Sequence, residues 1–387
     1  MRVYSQNMRL PRHRDPACPF SPPAELRGLP AMSRLEFADG HLGWLATTMA
    51  AAKVVLGDPR FSARQELKHV PVRSARPGGP AAPAPPGFFA TMDPPGHTRY
   101  RRLLTGRFTV RRMRELEPRV ERIAAEHLDA MAAAGPPADL VSAYALPIPS
   151  LVICELLGVP YDDRGFFQDR TARIVLPDRD TAGAIADLSA YLGELVRRRR
   201  AEPGDDLISD LTGDLTDEEL ANVAMILLVA GHETTANMLA LGTFALLERG
   251  VAYEEGAVEE LLRWLSVLQL GAPSRAALED VEVAGALVRK GETVAMSLSV
   301  VNRDPDEFDD PDALLPGRPE ARRHLAFGHG VHQCLGQQLA RIELRAGYRA
   351  LFDRFPGLRL AVSAAEVPLK EGAAVHGVER LPVTWPT

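Results

Sequence analysis

One cysteine near the C-terminal end of the chain stands in a loop whose residue types could bind a metal. Cys334 follows Gly328 and Gly330 and precedes Gly336. An amphipathic helix is predicted to begin directly after this loop, and the positive end of the helix dipole favours a thiolate over a thiol. Gly328 and Gly330 permit backbone turns through which amide N–H groups can point at the sulfur. The loop therefore predicts a thiolate ligand at position 334.

The residues around Cys334 favour a flat cofactor. Gly336 leaves room for a large planar group to lie close to the main chain, and Phe327 can cover one face of that group. An axial thiolate ligand to haem iron fits this arrangement. A buried structural cysteine is one alternative. A zinc site with His329 and His332 is another, although three ligands within six residues lack the second pair of a structural zinc site.

A second pair of residues could bind carboxylate groups. His97 and Arg101 are four residues apart in a predicted basic helix, so both lie on one face. Two cationic donors one turn apart can hold a carboxylate. The alternative is a solvated basic face, which the nearby Arg99, Arg102 and Arg107 would also fit.

Polar residues interrupt the centre of a long apolar helix. Thr216 and Glu219 have the spacing of a capping box, and the apolar pattern continues without a strong break to about residue 248. Glu233 and Thr234 lie in the middle, where burial is costly unless they are paired or functional. We expect the helix to open locally near Gly231 and to leave a backbone carbonyl free. A polar network with only a structural role is the alternative.

These segments occur in the same order as in one known family. The residues from Phe327 to Gly336 resemble the haem-binding loop of the cytochrome P-450 family, the haem-thiolate monooxygenases. The residues from Ala230 to Thr234 are similar to that family's oxygen-activation site. The resemblance implies a mainly α fold with small antiparallel β-sheets. A single large domain, residues 1–387, would hold haem between the long central helix and the Cys334 loop.

The resemblance assigns a role to each motif. Cys334 would be the axial ligand to the iron of haem b. Thr234 and Glu233, with Ala230 and Gly231 beside them, would direct the protons that oxygen activation requires. The remaining residues of the haem site would hold the propionates (His97, Arg101, Arg275 and His332) or lie along the porphyrin (Phe327, Gly328 and Gly336). The implied reaction inserts one atom of dioxygen into an apolar molecule by hydroxylation or epoxidation.

Two other functions are compatible with the thiolate loop. A haem-based sensor or carrier would need Cys334 but has no use for Glu233 and Thr234. A non-oxygenase or peroxide-using enzyme on the same fold usually lacks that pair as well.

The substrate side of the site is predicted mainly from the resemblance. The segment Lys68–Gly87 is rich in proline, glycine and alanine, which by itself is typical of a linker, but in the family this position holds a loop over the substrate pocket. Phe88 and Phe89 would form its apolar tip. Further candidate pocket residues are Val229, Leu268, Leu270, Ala272 and Ala374. The side chains of Phe166, Phe167, Ile174 and Leu176 could face a ligand or pack in the core. By resemblance to bacterial members, we expect a bulky apolar natural product, such as a polyketide, a macrolide or a terpenoid.

Composition limits the other function classes. The chain of 387 residues is 46% apolar and 25% charged, as in globular proteins, and its net charge of −6 argues against a nucleic-acid binder. Three widely spaced cysteines do not indicate a disulfide framework, so we expect a cytoplasmic protein. No apolar run reaches the ~18 residues of a membrane span. We expect a monomer.

The chain contains no flavin or nicotinamide motif. Electrons should therefore come from NAD(P)H through an external ferredoxin and ferredoxin reductase. A basic surface would attract an acidic ferredoxin. The candidate residues for that surface are Arg102, Arg322, Arg323 and Arg341.

Two features depart from the family pattern. Glu260 and Arg263 are spaced to pair on a helix, and the resemblance implies a folding role for them. Ala313 stands where the family usually has an arginine that joins this pair, and Arg318 could replace it. The connection 247–260 is also shorter than usual.

Overall fold

The computed structural model describes residues 8–15, 18–72, 81–175 and 181–386, without the side chains at 168, 172, 174, 175 and 181. Helices form most of the regular secondary structure of these residues, as the sequence predicts. The helices are α1 (Met49–Gly57), α2 (Gly96–Thr105), α3 (Val110–Ala134), α4 (Pro147–Leu157), α5 (Arg164–Val175), α6 (Thr181–Ala201), α7 (Leu207–Leu211), α8 (Asp217–Arg249), α9 (Ala257–Leu265), α10 (Leu298–Val301) and α11 (Gln337–Arg354).

The strands are short and form small sheets at the edges of the helical body. They are β1 (Met8–Arg9), β2 (Met32–Glu36), β3 (Leu42–Ala46), β4 (Phe61–Ser62), β5 (Ala138–Asp139), β6 (Ser274–Ala277), β7 (Val281–Val283), β8 (Ala286–Val288), β9 (Thr293–Met296), β10 (Arg359–Leu360) and β11 (Pro382–Thr384). One sheet has the order β1-β2-β3-β9-β6-β4, a second has the order β10-β11-β5, and β7 pairs with β8. The β2–β3 hairpin turns at Asp39-Gly40 and pairs Met32 with Ala46 at its open end. The mainly α fold with small sheets is confirmed.

The central helix α8 begins with the predicted capping box. The Thr216 hydroxyl accepts the Glu219 amide at 3.3 Å, and the Glu219 carboxylate accepts the Thr216 amide at 2.9 Å. The helix ends at Gly250, whose φ of 61° is the left-handed conformation that glycine favours. Helices α4, α6 and α11 pack around it. This packing places the middle of α8 inside the helical core.

In the part of the chain that the structure describes, α8 alone is long and apolar enough to cross a membrane by length and composition. However, 67% of its apolar window is buried inside the protein. The core helix of a globular protein gives the same signal.

Two aromatic side chains of α5 pack against other parts of the protein. Phe167 is fully buried in the main hydrophobic cluster, and Phe166 contacts the ring of Tyr191 at 5.5 Å between centroids. The side chain of Ile174 and the whole of Leu176, both candidates for a ligand-facing position, lie outside the described residues.

A buried ion cluster joins α9 to the irregular segment before the cysteine loop. Arg263 donates to both oxygens of Glu260 at 2.7 Å, and both side chains are fully buried. The Nε atom of Arg318 donates to the same carboxylate at 3.1 Å. Arg263 also donates to the carbonyl of Ala313 at 3.1 Å. The prediction that Arg318 replaces the missing arginine is therefore confirmed.

Candidate active site

The Cys334 loop is held against α1 before it enters α11. The Cys334 amide donates to the Phe327 carbonyl at 2.8 Å, which closes the loop. Gly330 has a φ of 73°, and a Cβ at this position would lie 2.6 Å from the carbonyl oxygen of Leu56. Only glycine satisfies both constraints, so the close contact with α1 explains this residue. At Gly336 an added Cβ would meet nothing within 4 Å, which agrees with the open space predicted there.

The thiol of Cys334 experiences two opposing effects. Cys334 keeps solvent-accessible surface, yet the protein around it is dense enough that burial raises the pKa of the thiol. The amides of Gly336 and Gln337 and the charge of Arg101 lower it, but by less. The amides at the start of α11 therefore act on the sulfur in the predicted direction, towards the thiolate, but the effect of burial is larger. A metal cation bound to the sulfur would favour the thiolate directly.

The predicted carboxylate-binding residues come together in a cationic cluster, which we define as His97, Arg101, Arg275, His332 and Lys68. The rings of His97 and His332 lie 4.1 Å apart between centroids. Burial, together with the positive charges of Arg275, His97, Lys68 and Arg101, lowers the pKa of His332 to about 3. Burial also lowers the pKa of Arg275 to about 10. Like charges so close together are unfavourable unless an anion is bound among them.

The described residues offer this cluster little negative charge. Asp93 raises the pKa values of His97 and Arg275, but its carboxylate already accepts from the Ser62 hydroxyl at 2.5 Å and the Ala63 amide at 2.8 Å. Both ring nitrogens of His97 lack a hydrogen-bond partner in this structure, and the residue is only 2% exposed. Buried polar atoms of this kind normally have partners. The cluster therefore fits the two propionates of haem. The charge of Cys334 raises the pKa of Arg101, so the sulfur lies near the cluster, where it fits the haem iron.

Lys68 is a member of the cluster that the sequence analysis did not identify. Burial and the charge of Arg275 lower its pKa to about 8. It follows a short 3₁₀ helix, Gln65–Leu67, at the start of a segment whose composition is typical of a linker. Only the positions of Arg275 and His332, which are distant in sequence, show that this lysine belongs to the site.

The centre of α8 stays helical. The helix is continuous from Asp217 to Arg249, so the predicted local opening is wrong. The Thr234 hydroxyl donates to the Ala230 carbonyl at 2.7 Å and occupies the acceptor that an opened helix would have freed. Val229 is 41% exposed and Ala230 is also exposed, within a helix that is otherwise mostly in the core. This accessible apolar surface lies next to the hydroxyl of Thr234.

Glu233 contacts a residue that the sequence analysis did not identify. The Nζ atom of Lys370 lies 3.7 Å from Glu233 Oε1. Burial raises the pKa of Glu233, although Lys370 opposes this shift. No periodic pattern connects positions 233 and 370, so only the folded chain could reveal this pair.

The candidate substrate residues are not all in one place. Phe89 is 6% exposed and belongs to the main hydrophobic cluster, its ring centroid 6.5 Å from that of His97, while Phe88 packs against the same cluster. Both rings therefore pack inward, and their contact with a substrate stays a prediction. Leu268 bridges to Val375, next to Ala374.

Leu270 and Ala272, the next two candidate substrate residues after Leu268, differ in their surroundings. Leu270 has a φ of 57° and packs against the cluster under the N-terminal sheet, which contains Leu35 and Leu45. Ala272 is half-buried, and its amide donates to the Gln269 carbonyl at 3.3 Å. Leu268 instead packs against a cluster that contains Met32 and Met296, so the two leucines contact different parts of the core.

The segment predicted to cover the pocket is described only at its ends, because residues 73–80 lie outside the described part of the chain. Gln65 donates to the Ala82 carbonyl at 2.7 Å, and Asn222 of α8 donates to the Pro86 carbonyl at 2.8 Å. The first bond attaches the second half of the segment to its own beginning, and the second attaches it to the start of α8.

Comparison with known proteins agrees with this geometry. The family model described as Cytochrome P450 matches residues 248–359. Cytochrome P450 105C1 from a Streptomyces species is 51% identical over 95% of this chain and 96% of its own length, and pentalenic acid synthase from Streptomyces avermitilis is 44% identical over 96% of both. The crystal structure of CYP105P1 in complex with filipin I is 39% identical, with a TM-score of 0.86 over 98% of this chain and 99% of that one. With its cationic cluster, its cysteine loop and this identity over nearly the whole chain, the protein belongs to the cytochrome P450 family of haem-thiolate monooxygenases.

Proposed function

We propose that this monooxygenase hydroxylates or epoxidises a bulky, apolar natural product, such as a polyketide, a macrolide or a terpenoid. Two relatives support the substrate class, since one is named pentalenic acid synthase and the other was crystallised with filipin I. The observation that carries the chemistry is the unmatched cationic cluster near a cysteine loop. The accessible apolar surface of Val229 and Ala230 beside Thr234 offers a surface for the substrate.

We assign the residues of the cluster to the propionates. His97, Arg101, Arg275 and His332 would each gain a partner that the described residues do not provide, and Lys68 adds a further charge. Cys334 would ligate the iron, with the amides of Gly336 and Gln337 near its sulfur. When bound, haem supplies the iron on which dioxygen is activated.

Thr234 and Glu233 would supply protons to the oxygen site. Insertion of one oxygen atom releases the other as water, which consumes two protons and two electrons. Neighbouring residues on a helix point in different directions, so Thr234 and Glu233 do not contact each other directly. The Thr234 hydroxyl would donate at the oxygen site, and Glu233 would resupply it through water.

Electrons would come from NAD(P)H through a ferredoxin and a ferredoxin reductase, in the cytoplasm. Arg102, Arg322 and Arg323 are exposed and could attract an acidic ferredoxin. The fourth candidate, Arg341, donates to both oxygens of Glu259 at 2.6 and 3.1 Å and stacks on Phe327. Arg341 is therefore better explained as a support of the cysteine loop, and we leave it out of the docking surface.

The Cys334→Ser variant tests the thiolate assignment. We expect the reduced protein with carbon monoxide to show the far red-shifted absorbance of sulfur ligation, and the variant to lose it, because a hydroxyl is a poor substitute for a thiolate ligand. Cys18→Ser is the matched control, since Cys18 is also a free, exposed cysteine. An unchanged spectrum in Cys334→Ser would refute the assignment.

The substrate class is tested by ligand titration. Macrolactones and sesquiterpenes should shift the spin-state absorbance of the ferric protein at lower concentrations than small phenols do. Tighter binding of the phenols would contradict the proposed class.

A further inference from the structure

A buried ion pair connects the middle of α8 to the C-terminal segment. The side chains of Glu233 and Lys370 are 23% and 12% exposed, and their charged atoms lie 3.7 Å apart. Burying both groups is costly, and it raises the pKa of Glu233 while it lowers that of Lys370. These shifts bring the proton affinities of the two groups closer together, so proton transfer within the pair requires less free energy than it would in water.

The C-terminal segment is built so that Lys370 reaches Glu233. The Lys370 amide donates to the Gly377 carbonyl at 2.9 Å, next to a bridge between Leu369 and Val378. A Cβ at Gly377 would lie 1.8 Å from Oδ1 of Asn237, so this turn packs directly on α8. Asn237 in turn donates to the Glu233 carbonyl at 2.9 Å. The turn and the acid are thus attached to the same stretch of α8.

Lys370 also lines a cavity to which Glu233 does not contribute. This basic cavity has a volume of about 180 Å³ and is lined by residues that include Arg12, His13, Arg14, Lys370, Glu371 and His376. The side chains of His13 and Glu371 are 60% and 80% exposed, so the cavity reaches the surface. A cavity of this size and polarity has room for several water molecules.

We propose that Lys370 is a positioning residue that acts through Glu233, taking protons from water in the basic cavity and passing them to the Glu233 carboxylate. The proposal rests on the proposed role of Glu233 in proton supply. In the transfer, an N–H bond of the Lys370 ammonium breaks and an O–H bond forms at Glu233 Oε1, which leaves a neutral amine and a neutral acid. The amine then takes a proton from cavity water, and bulk solvent neutralises the hydroxide.

The residue paired with Glu233 is a lysine and not an arginine, and this difference affects proton transfer. An arginine could form the same ion pair, but it does not release its proton at physiological pH. A buried lysine titrates more readily, so it can act as a donor as well as a counter-charge.

Turnover of the holoenzyme distinguishes a proton donor from a simple counter-charge. In Lys370→Met, the yield of product per dioxygen consumed should fall by about ten-fold, and more peroxide should be released. This loss is smaller than the loss expected on removing a donor that acts directly. In Lys370→Arg we expect the same loss, because the charge is kept but the proton is not released. Wild-type yield in Lys370→Arg would overturn the proposal.

A second measurement does not depend on activity. The chain has four lysines, at positions 53, 68, 290 and 370, so the labelling of each amine can be followed by mass spectrometry as pH is varied. In Glu233→Gln, Lys370 should be labelled several-fold faster near pH 8, because the loss of its partner lowers the pKa of the amine. An unchanged Lys370 profile would overturn the proposal.

The labelling experiment has a matched control. Lys53 lies 3.8 Å from Glu307, nearly the same separation, but both side chains are more exposed, at 38% and 29%. Glu307→Gln should change the labelling of Lys53 only slightly, since water screens exposed pairs, and it should leave Lys370 unchanged.

Other charged groups contribute to the pH profile of Lys370. Glu379 raises its pKa, and Lys370 lowers that of His232 on α8. Arg12, His13, Arg14, Glu371 and His376 line the same basic cavity as Lys370. All of these groups are present in both wild type and Glu233→Gln. The difference between the two labelling profiles therefore measures the effect of Glu233 on Lys370.

Turnover of Glu233→Gln separates failure of this proposal from failure of the proposed function. A loss of product in Glu233→Gln together with wild-type yield in Lys370→Arg would overturn the role of Lys370 alone. Unchanged yield in Glu233→Gln would overturn both roles.

Discussion

At the residue scale, two neighbours on α8 face different partners. Thr234 directs its hydroxyl back to the Ala230 carbonyl, whereas Glu233 reaches Lys370 of the C-terminal segment. The bond made by Thr234 is a common way to satisfy a threonine inside a helix. We interpret Thr234 as functional because it lies beside the accessible residues Val229 and Ala230.

We expect Thr234→Ala to release more peroxide per product molecule, because the hydroxyl that donates at the oxygen site is lost. The loss of product should approach the 10²-fold that a positioned proton donor contributes. The measurement is the ratio of product to hydrogen peroxide in steady-state turnover.

Thr243→Ala is a control on the same helix. The Thr243 hydroxyl donates to the Leu239 carbonyl at 2.8 Å, the same kind of bond, but Thr243 is fully buried in the core. This variant should leave the ratio at its wild-type value. Equal ratios in the two variants would refute the proton role of Thr234 and favour a sensor or a peroxide-using enzyme.

At the element scale, α9 is attached to the segment that leads into the cysteine loop. Glu260 accepts from Arg263, from Arg318 and from the Leu315 amide at 3.0 Å. One carboxylate therefore holds together a helix and an irregular segment that cannot form a regular ladder of backbone bonds. Glu259, the residue before it, pairs with Arg341 of α11 and lies 3.3 Å from His324. Two adjacent acids thus fix both sides of the loop.

Arg318→Met should lower the free energy of unfolding by ~3–5 kcal/mol, because it leaves part of the buried charge of Glu260 without a partner. Urea unfolding, followed by circular dichroism, measures this change. We expect the same variant to retain less haem after purification, since the loop depends on this segment.

Arg289→Met is the matched control for this experiment. Arg289 pairs with Asp280 at 2.8 Å, but the two side chains are 61% and 48% exposed. Exposed pairs contribute roughly 0–1 kcal/mol, so this variant should be close to wild type. A stability loss in Arg318→Met no larger than that in the control would contradict the proposed role of the cluster.

At the scale of the whole molecule, a protein with a negative net charge contains a positively charged site. The net charge is −6, yet His97, Arg101, Arg275, His332 and Lys68 converge on one place. Three exposed arginines, at 102, 322 and 323, lie close in sequence to members of the site or to its cysteine loop. We therefore expect these arginines to attract an acidic redox partner.

Reduction by an acidic ferredoxin should slow as ionic strength rises, because steering by exposed charges is screened within a Debye length of about 8 Å at 0.15 M salt. Arg322→Glu should slow reduction further at low salt. Stopped-flow absorbance of the ferrous carbon monoxide complex measures both effects.

The control for this measurement is Arg111→Glu. Arg111 is 91% exposed at the start of α3 and pairs only loosely with Glu115, at 3.7 Å. Reduction rates that do not depend on salt, or that fall equally in both variants, would argue against docking at Arg322.

Local features of this protein were predictable because they depend on neighbouring residues. The capping box at Thr216 and the helix after Gly336 follow from local capping chemistry and short-range periodicity. The family was also predictable from the sequence, since the Cys334 loop and the residues from Ala230 to Thr234 keep their order along the chain. Even the role of Arg318 could be anticipated, because a buried carboxylate needs a cation within reach.

The remaining features depended on segments that are distant in the sequence. Lys68 joined the cationic cluster and Lys370 joined Glu233 only because the chain folds back on itself, and pairwise electrostatics depends on distance in space. The amides at the start of α11 lower the pKa of the Cys334 thiol, as the sequence predicts, but burial by elements that are distant in sequence has the larger, opposite effect. Spacing along the chain thus determined which chemistry is possible, and the tertiary structure decided which charges act on it.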